Sequence, residues 1–247
     1  MKIIGVIPSR WGSTRFPGKS LHPLCGRPLV AWVVEAARRA KRLQEVIVAT
    51  DDARIAEAAR AAGGRAVMTR PDHPSGTDRI AEAAQAGAED IVVNIQGDEP
   101  LIAPALIDAL AERLVADRGW DMATAACPIA NRRDLDARSV VKVVCDREGR
   151  ALYFSRLPIP CRRDGEPDLA AGLYLRHLGL YAYRGAFLRR FVAEPPCALE
   201  RAESLEQLRA LHLGARIAVI VTGDAGVGVD TPEDVGYVER LLKERGA

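Results

Sequence analysis

Lysine is scarce in this chain: of 35 basic residues only five are lysine and the rest are arginine. Alongside the abundant alanine this reads as codon bias, and it makes a lysine inside a motif more informative. Acid and base nearly cancel, at a formal net charge of +2, so the basic excess of an electrostatic nucleic-acid binder is missing. No apolar run approaches the roughly eighteen residues of a membrane span. The five cysteines (Cys25, Cys127, Cys145, Cys161, Cys197) are odd in number, widely spaced and without a C-x-x-C pair. That argues against a zinc site or a disulfide framework and for free thiols in a reducing compartment. The chain opens on a strand-like run with no signal-peptide layout, so a cytoplasmic location is expected. Two familiar phosphate motifs are also missing. Gly12 and Gly18-Lys19-Ser20 imitate a P-loop with one residue too many between the glycines, and Pro23, Gly26 and Pro28 forbid the helix such a loop needs. No G-x-G-x-x-G follows a strand.

What is present is a regular alternation. Ile3–Ile7 reads as a buried strand ended by Pro8. A helix from Pro28 to about Arg42, a strand Val46–Ala49 and a helix capped by Asp52 and stopped by Gly63-Gly64 follow. Strand Ala66–Thr69, helix Thr77 to about Ala88 and strand Ile91–Ile95 continue it. This βαβαβαβ order predicts an α/β fold with a doubly wound, mostly parallel sheet. Beyond helix Pro104–Asp117 the rhythm changes. Strand Met122–Cys127, a hairpin (Val140–Cys145 with Ala151–Phe154), a loop over 158–172 and strand Leu178–Tyr183 suggest a β subregion inserted at roughly 140–185. Helices Ala186–Val192, Leu199–Leu211 and Pro232–Lys243, with strand Ile217–Val221, close the chain. Neither linker nor repeat interrupts it, so residues 1–247 are read as one domain.

Ligands of open α/β sheets bind beyond the carboxyl ends of the strands. The loop after Pro8 and Ser9 carries Arg10, Arg15 and Lys19, no acid, and two glycines, Gly12 and Gly18. Such a loop suits a polyphosphate. At the end of the fourth strand, Gln96-Gly97-Asp98 delivers a carboxylate to the same crevice, where a hard cation such as Mg²⁺ would share it with phosphate oxygens. Ser75-Gly76-Thr77 could bind a ligand or simply cap the helix it opens. Asp230, before Thr231-Pro232-Glu233-Asp234, could likewise be a ligand or the cap of the last helix. Arg156, His177, Tyr181, Glu206 and Gln207 together offer a cation, an imidazole, a phenol, a carboxylate and an amide, a set that suits a polyhydroxy acid. Taken singly, His177 and Arg156 are equally at home in ordinary packing.

The run Arg10-x-x-Ser13-Thr14-Arg15-Phe16-Pro17-Gly18-Lys19 resembles the signature loop of sugar-nucleotide cytidylyltransferases, most closely the 3-deoxy-manno-octulosonate (Kdo) cytidylyltransferases. His73-x-Ser75-Gly76-Thr77-Asp78-Arg79, Gln96-Gly97-Asp98, Arg156, Arg176-His177, Glu206-Gln207 and Gly228-Val229-Asp230-Thr231-Pro232-Glu233-Asp234 extend the resemblance in order to about Glu239. One departure is Arg201-Ala202, where the family pattern is His-Ile.

The resemblance implies a nucleotide-diphospho-sugar transferase fold and transfer of CMP from CTP to Kdo, releasing pyrophosphate and activating the sugar for lipopolysaccharide synthesis. A related keto-deoxy acid, 8-amino-Kdo or a sialic acid, is the alternative acceptor. By resemblance Pro8, Ser9, Arg10, Gly12, Ser13, Arg15, Lys19, Ser75, Gly76, Thr77, Arg79 and Gln96 would bind nucleotide. Arg156, His177, Tyr181, Glu206 and Gln207 would bind the sugar. Asp98 and Asp230 would hold Mg²⁺, with Arg10 and Lys19 also catalytic. A homodimer is implied, with no nucleic-acid or membrane partner. Catalysis would rest on positioning and charge neutralisation, without a dedicated general base.

Overall fold

The computed structural model describes residues 1–12 and 16–246. Strand β1 (Ile3–Ser9) leads to a 3₁₀ turn at Lys19–Leu21 and a two-strand ribbon, β2 (Pro23–Leu24) and β3 (Arg27–Pro28). Helix α1 (Leu29–Arg38), β4 (Glu45–Thr50), α2 (Ala53–Ala61), β5 (Arg65–Met68), α3 (Gly76–Ala84) and β6 (Ile91–Asn94) follow. Then come α4 (Pro104–Ala116), β7 (Met122–Pro128), the short α5 (Arg132–Asp136) and a hairpin, β8 (Lys142–Cys145) with β9 (Ala151–Ser155). The chain closes with β10 (Leu175–Arg184), α6 (Gly185–Ala193), α7 (Ala198–Glu203), α8 (Gln207–His212), β11 (Ile217–Val221), a 3₁₀ turn at Pro232–Asp234 and α9 (Val235–Glu244).

The main sheet runs β11-β7-β10-β6-β1-β4-β5. The β1–β4, β1–β6, β4–β5 and β7–β11 pairs are parallel, and only β10 runs against both of its neighbours. The hairpin joins the free start of β10 through β8. One apolar layer lies under α1, α4 and α9 (Leu29, Val33, Ile107, Leu110, Val238, Leu242), the other under α3, α6 and α8 (Ile80, Phe187, Phe191, Leu208). From β1 the chain goes outward to β4 and β5, then returns to the opposite side as β6. The β1–β6 seam is therefore the topological switch point, where the strand ends leave an open crevice.

Two expectations are corrected here. Strand β1 does not stop before Pro8 but continues in parallel register with β4, Pro8 opposite Ala49 and Ser9 opposite Thr50. Successive residues face alternate neighbours, and Val6 accepts from Ile95 N–H on the β6 side. Pro8 therefore puts its missing donor on that side, where β6 has already ended, and the ladder loses nothing. The expected helix Leu199–Leu211 is broken at Ser204, which sits at φ 51° in the left-handed region. The carbonyls freed there are taken by the Arg156 guanidinium, from Nε to Glu203 (2.6 Å) and from Nη2 to Ser204 (3.1 Å). A partner so distant in sequence leaves no local signal.

Candidate active site

Pro8, Ser9, Arg10, Lys19, Ser75, Gly76, Arg79, Gln96, Asp98 and Asp230 line one cavity of about 340 Å³ at the switch point. Ser9 Oγ donates to Ser20 Oγ at 2.6 Å, tying the strand end to the returning loop. At the base of that loop Gly18 N–H donates to the Trp11 carbonyl at 3.1 Å. Gly18 takes φ 71° there, and a Cβ on it would meet the Trp11 ring at 2.8 Å. Gly97 is required more strictly, since a Cβ would lie 2.7 Å from the Pro8 carbonyl oxygen. Ser13 and Arg15 lie outside the described residues, and Gly12 is not in the cavity wall.

Ser75 caps α3, accepting from the N–H groups of Thr77 and Asp78. Thr77 is turned away from this cavity: its hydroxyl donates to Glu206 Oε2 at 2.7 Å. Arg79 is buried, with Nη1 on Thr69 Oγ1 (2.5 Å) and Nη2 on Asp51 Oδ2 (3.1 Å). Asp51 also accepts from Trp11 N–H, so this pair anchors the loop to α3.

Asp98 and Asp230 are far apart in sequence yet adjacent in space, because Val229 N–H donates to the Asp98 carbonyl at 2.8 Å. The Lys19 ammonium lies 2.7 Å from Asp98 Oδ2 and 3.8 Å from Asp230 Oδ1. Asp230 does not cap the last helix. Thr231 is the cap residue of the 3₁₀ turn that leads into α9, and Asp234, the residue before α9, accepts at Oδ2 from the N–H groups of both Asp230 and Thr231. Two carboxylates converging on one cation form a donor set that a hard divalent ion can use. Among the described residues no group of three or more His, Cys, Asp or Glu side chains is placed for a metal, so substrate oxygens and water would complete the coordination.

A second cavity, of about 560 Å³, shares Gln96, Asp98 and Asp230 with the first and holds Arg156, His177, Tyr181, Glu206 and Gln207 in its wall. Gln96 Nε2 donates to the Gly179 carbonyl at 2.6 Å, fixing the amide at the junction. His177 Nε2 lies 3.0 Å from Thr124 Oγ1, and its ring packs edge-on to Phe154. Burial pushes the imidazole down to about 3, so it is neutral near neutral pH. Burial raises the Tyr181 phenol, helped by Tyr183 and Glu206. Arg156 also donates from Nη1 to the Arg138 carbonyl at 2.9 Å. Three of its five N–H groups are thus engaged by main chain, and two are left for a ligand.

Residues 4–217 match the model of the cytidylyltransferase family. A 3-deoxy-manno-octulosonate cytidylyltransferase of Bdellovibrio bacteriovorus is 53% identical over the whole of both chains. One from Syntrophobacter fumaroxidans is 52% identical, over 99% of this chain and 98% of its own. Among solved structures, a CMP:2-keto-3-deoxy-manno-octonic acid synthetase complexed with CTP superposes with a TM-score of 0.92 at 41% identity, over 99% of this chain and all of that one. The chain belongs to the 3-deoxy-manno-octulosonate cytidylyltransferase family.

In this cytidylyltransferase several site residues escape a reading by motif. Arg176 and Glu99 line the second cavity beside the carboxylates. Burial pushes the Glu99 carboxyl up to about 7, with the Asp98, Asp224 and Asp230 charges adding and Arg176 opposing. Lys142 is fully buried, its ammonium donating to the carbonyls of Ala137, Val140 and Arg156, which fixes the hairpin behind Arg156. Glu203 accepts from Ser155 Oγ and Arg156 N–H, clamping α7 to the hairpin. Arg176 adjoins His177 and was within reach of sequence reasoning. Lys142 sits in an apolar run and gave no sign of its role.

Proposed function

We propose that this enzyme transfers CMP from CTP to Kdo, with the triphosphate in the first cavity and the sugar acid in the second. The carrying observation is that the two cavities meet at Gln96, Asp98 and Asp230. A joint of this kind brings an acceptor hydroxyl against the α-phosphorus of a nucleotide. Arg10, Arg15 and Lys19 neutralise the triphosphate and the departing pyrophosphate. Pro8, Ser9, Ser75 and Gly76 position the nucleotide, Gly12 and Ser13 join that set by the family resemblance alone, and Arg79 holds the wall in place. Arg156 pairs with the sugar carboxylate, while neutral His177, Tyr181, Glu206 and Gln207 meet its hydroxyls.

Asp98 and Asp230 would hold Mg²⁺. Bound there, the ion supplies charge neutralisation and acidifies the sugar hydroxyl, a task for which the site offers no dedicated base. Lys19, in contact with both carboxylates, keeps them together before substrate arrives. We further propose a cytoplasmic homodimer serving lipopolysaccharide synthesis. The free thiols of all five cysteines accord with a reducing compartment. The exposed Leu152, Leu157 and Leu173 around the hairpin offer apolar surface for a second copy. Among the described residues no helix is long and apolar enough to cross a membrane.

A pyrophosphate-release assay tests the reading, with CTP, UTP and ATP crossed against Kdo, 8-amino-Kdo and a sialic acid. CTP with Kdo should be the best pair, by about 10²-fold or more over UTP, because a site built on hydrogen bonds to one base leaves buried groups unpaired with another. Equal turnover with UTP would sink the assignment.

A further inference from the structure

We propose that Thr77 is a positioning residue for the acceptor side of the site, acting through Glu206, and not a nucleotide contact. This rests on the functional reading above, which puts the sugar acid in the second cavity. Thr77 follows Ser75 and Gly76 in one short motif, yet those two line the first cavity and Thr77 does not. It is 2% exposed. Its N–H is taken by Ser75 Oγ at 3.1 Å. Its hydroxyl reaches across to Glu206 Oε2 at 2.7 Å, 129 residues away in the chain.

The direction of that bond is fixed by chemistry. An ionised carboxylate only accepts, so Thr77 must donate its single hydroxyl proton to Glu206. The Thr77 bond thus joins the first turn of α3 to the start of α8 across the fold. A buried hydrogen bond of this kind rigidifies what it joins.

Glu206 needs such a hold. It opens α8 immediately after the break at Ser204, and its own side chain makes no capping bond to that helix. No local structure therefore aims the carboxylate. Thr77 holds Oε2, and Oε1 is presented to a hydroxyl of the sugar acid in the cavity that Glu206 and Gln207 wall. The helix that opens beside the nucleotide thereby sets the geometry of the acceptor pocket.

The test is steady-state kinetics of pyrophosphate release, varying CTP and Kdo in turn, on Thr77→Val, Thr77→Ser, Glu206→Gln and the Thr77→Val/Glu206→Gln double variant. Thr77→Val keeps the shape and removes the donor. It should raise KM for Kdo about tenfold or more, the size of a lost hydrogen bond to a charged group, with KM for CTP essentially unchanged. Thr77→Ser should restore the wild-type value, and Thr77→Val should add nothing in the Glu206→Gln background. Should Thr77→Val fail to fold, Thr77→Ala takes its place: it must raise KM for Kdo while calorimetric CTP affinity holds. A rise in KM for CTP, no rescue by serine, additive effects in the double variant, or a normal KM for Kdo in Glu206→Gln would each overturn the proposal. Wild-type enzyme inert toward Kdo would overturn the functional reading and this inference together. An active wild type with any of the other outcomes overturns this inference alone.

Discussion

The Lys19 ammonium lies 2.7 Å from the Asp98 carboxylate, and the same nitrogen is 3.8 Å from Asp230. One cation at the end of the basic loop therefore joins the acid that follows β6 to the acid that precedes the last 3₁₀ turn, two groups distant in the chain. Its side chain is 14% exposed, against 28% for Asp98 and 57% for Asp230. The cluster opens toward the cavities on the Asp230 side.

If the two carboxylates hold a divalent cation during turnover, Asp98→Asn and Asp230→Asn should each lower kcat by about 10²–10³-fold, the range seen when a charge-stabilising group is lost. Circular dichroism should show the fold intact. EDTA should abolish wild-type activity and added Mg²⁺ restore it. Normal turnover and Mg²⁺ dependence in Asp230→Asn would leave Asp98 as the only protein ligand.

Gly97→Ala places a methyl group 2.7 Å from the Pro8 carbonyl oxygen, a backbone atom that cannot swing aside. The expected cost is about 1–3 kcal/mol of stability, read by thermal or urea denaturation. Catalysis should suffer too, because relieving the clash separates β1 from the strand end bearing Asp98. A variant as stable and active as wild type would refute the close packing of this seam.

The His177 imidazole is held down to about 3 by burial, against about 6.5 in an unfolded chain. Between these values the unfolded state binds the extra proton, so its contribution is fully present above about pH 6.5 and declines as pH falls. The slope is at most about 1.4 kcal/mol per pH unit. Its ring neighbours are Phe154 and Tyr181, and Tyr181 titrates far above this window. Urea denaturation of wild type and His177→Gln from pH 7 to pH 4 should show the slope only where the histidine is present. Parallel curves would refute a buried neutral imidazole.

Arg156→Ala removes donors to the carbonyls of Glu203, Ser204 and Arg138. It should cost about 1–3 kcal/mol in stability and weaken use of the sugar acid, while calorimetric CTP affinity stays near wild type. Loss of CTP binding would move the residue out of the acceptor pocket.

Local chemistry made the parallel core of the fold legible. Asp52 caps α2 as its position suggests, and apolar runs such as Ile91–Asn94 are buried on both faces. The strand-end motifs also announced themselves, since Gln96-Gly97-Asp98 has few uses other than close backbone approach and a carboxylate at a crevice. What stayed hidden depended on partners distant in sequence. The break at Ser204 is stabilised from Arg156, and the residue before α9 is Asp234, which folds back on Asp230 and Thr231. Nothing near Thr77 told that its hydroxyl faces Glu206. Motifs reported where main chain turns and where charge collects, but not which way a buried hydroxyl points.

The bond from Val229 to the Asp98 carbonyl also bears on how the enzyme is made. While the chain is being synthesised, β1, β4 and β6 are all complete before residue 230 exists. The second carboxylate arrives only when the segment after β11 lies back across the crevice and α9 seats Val238 and Leu242 in the core. A chain released early, or trimmed at its end by a protease, carries every strand and Asp98 but lacks Asp230 and α9. Such a fragment would offer the crevice one carboxylate where the whole chain offers two.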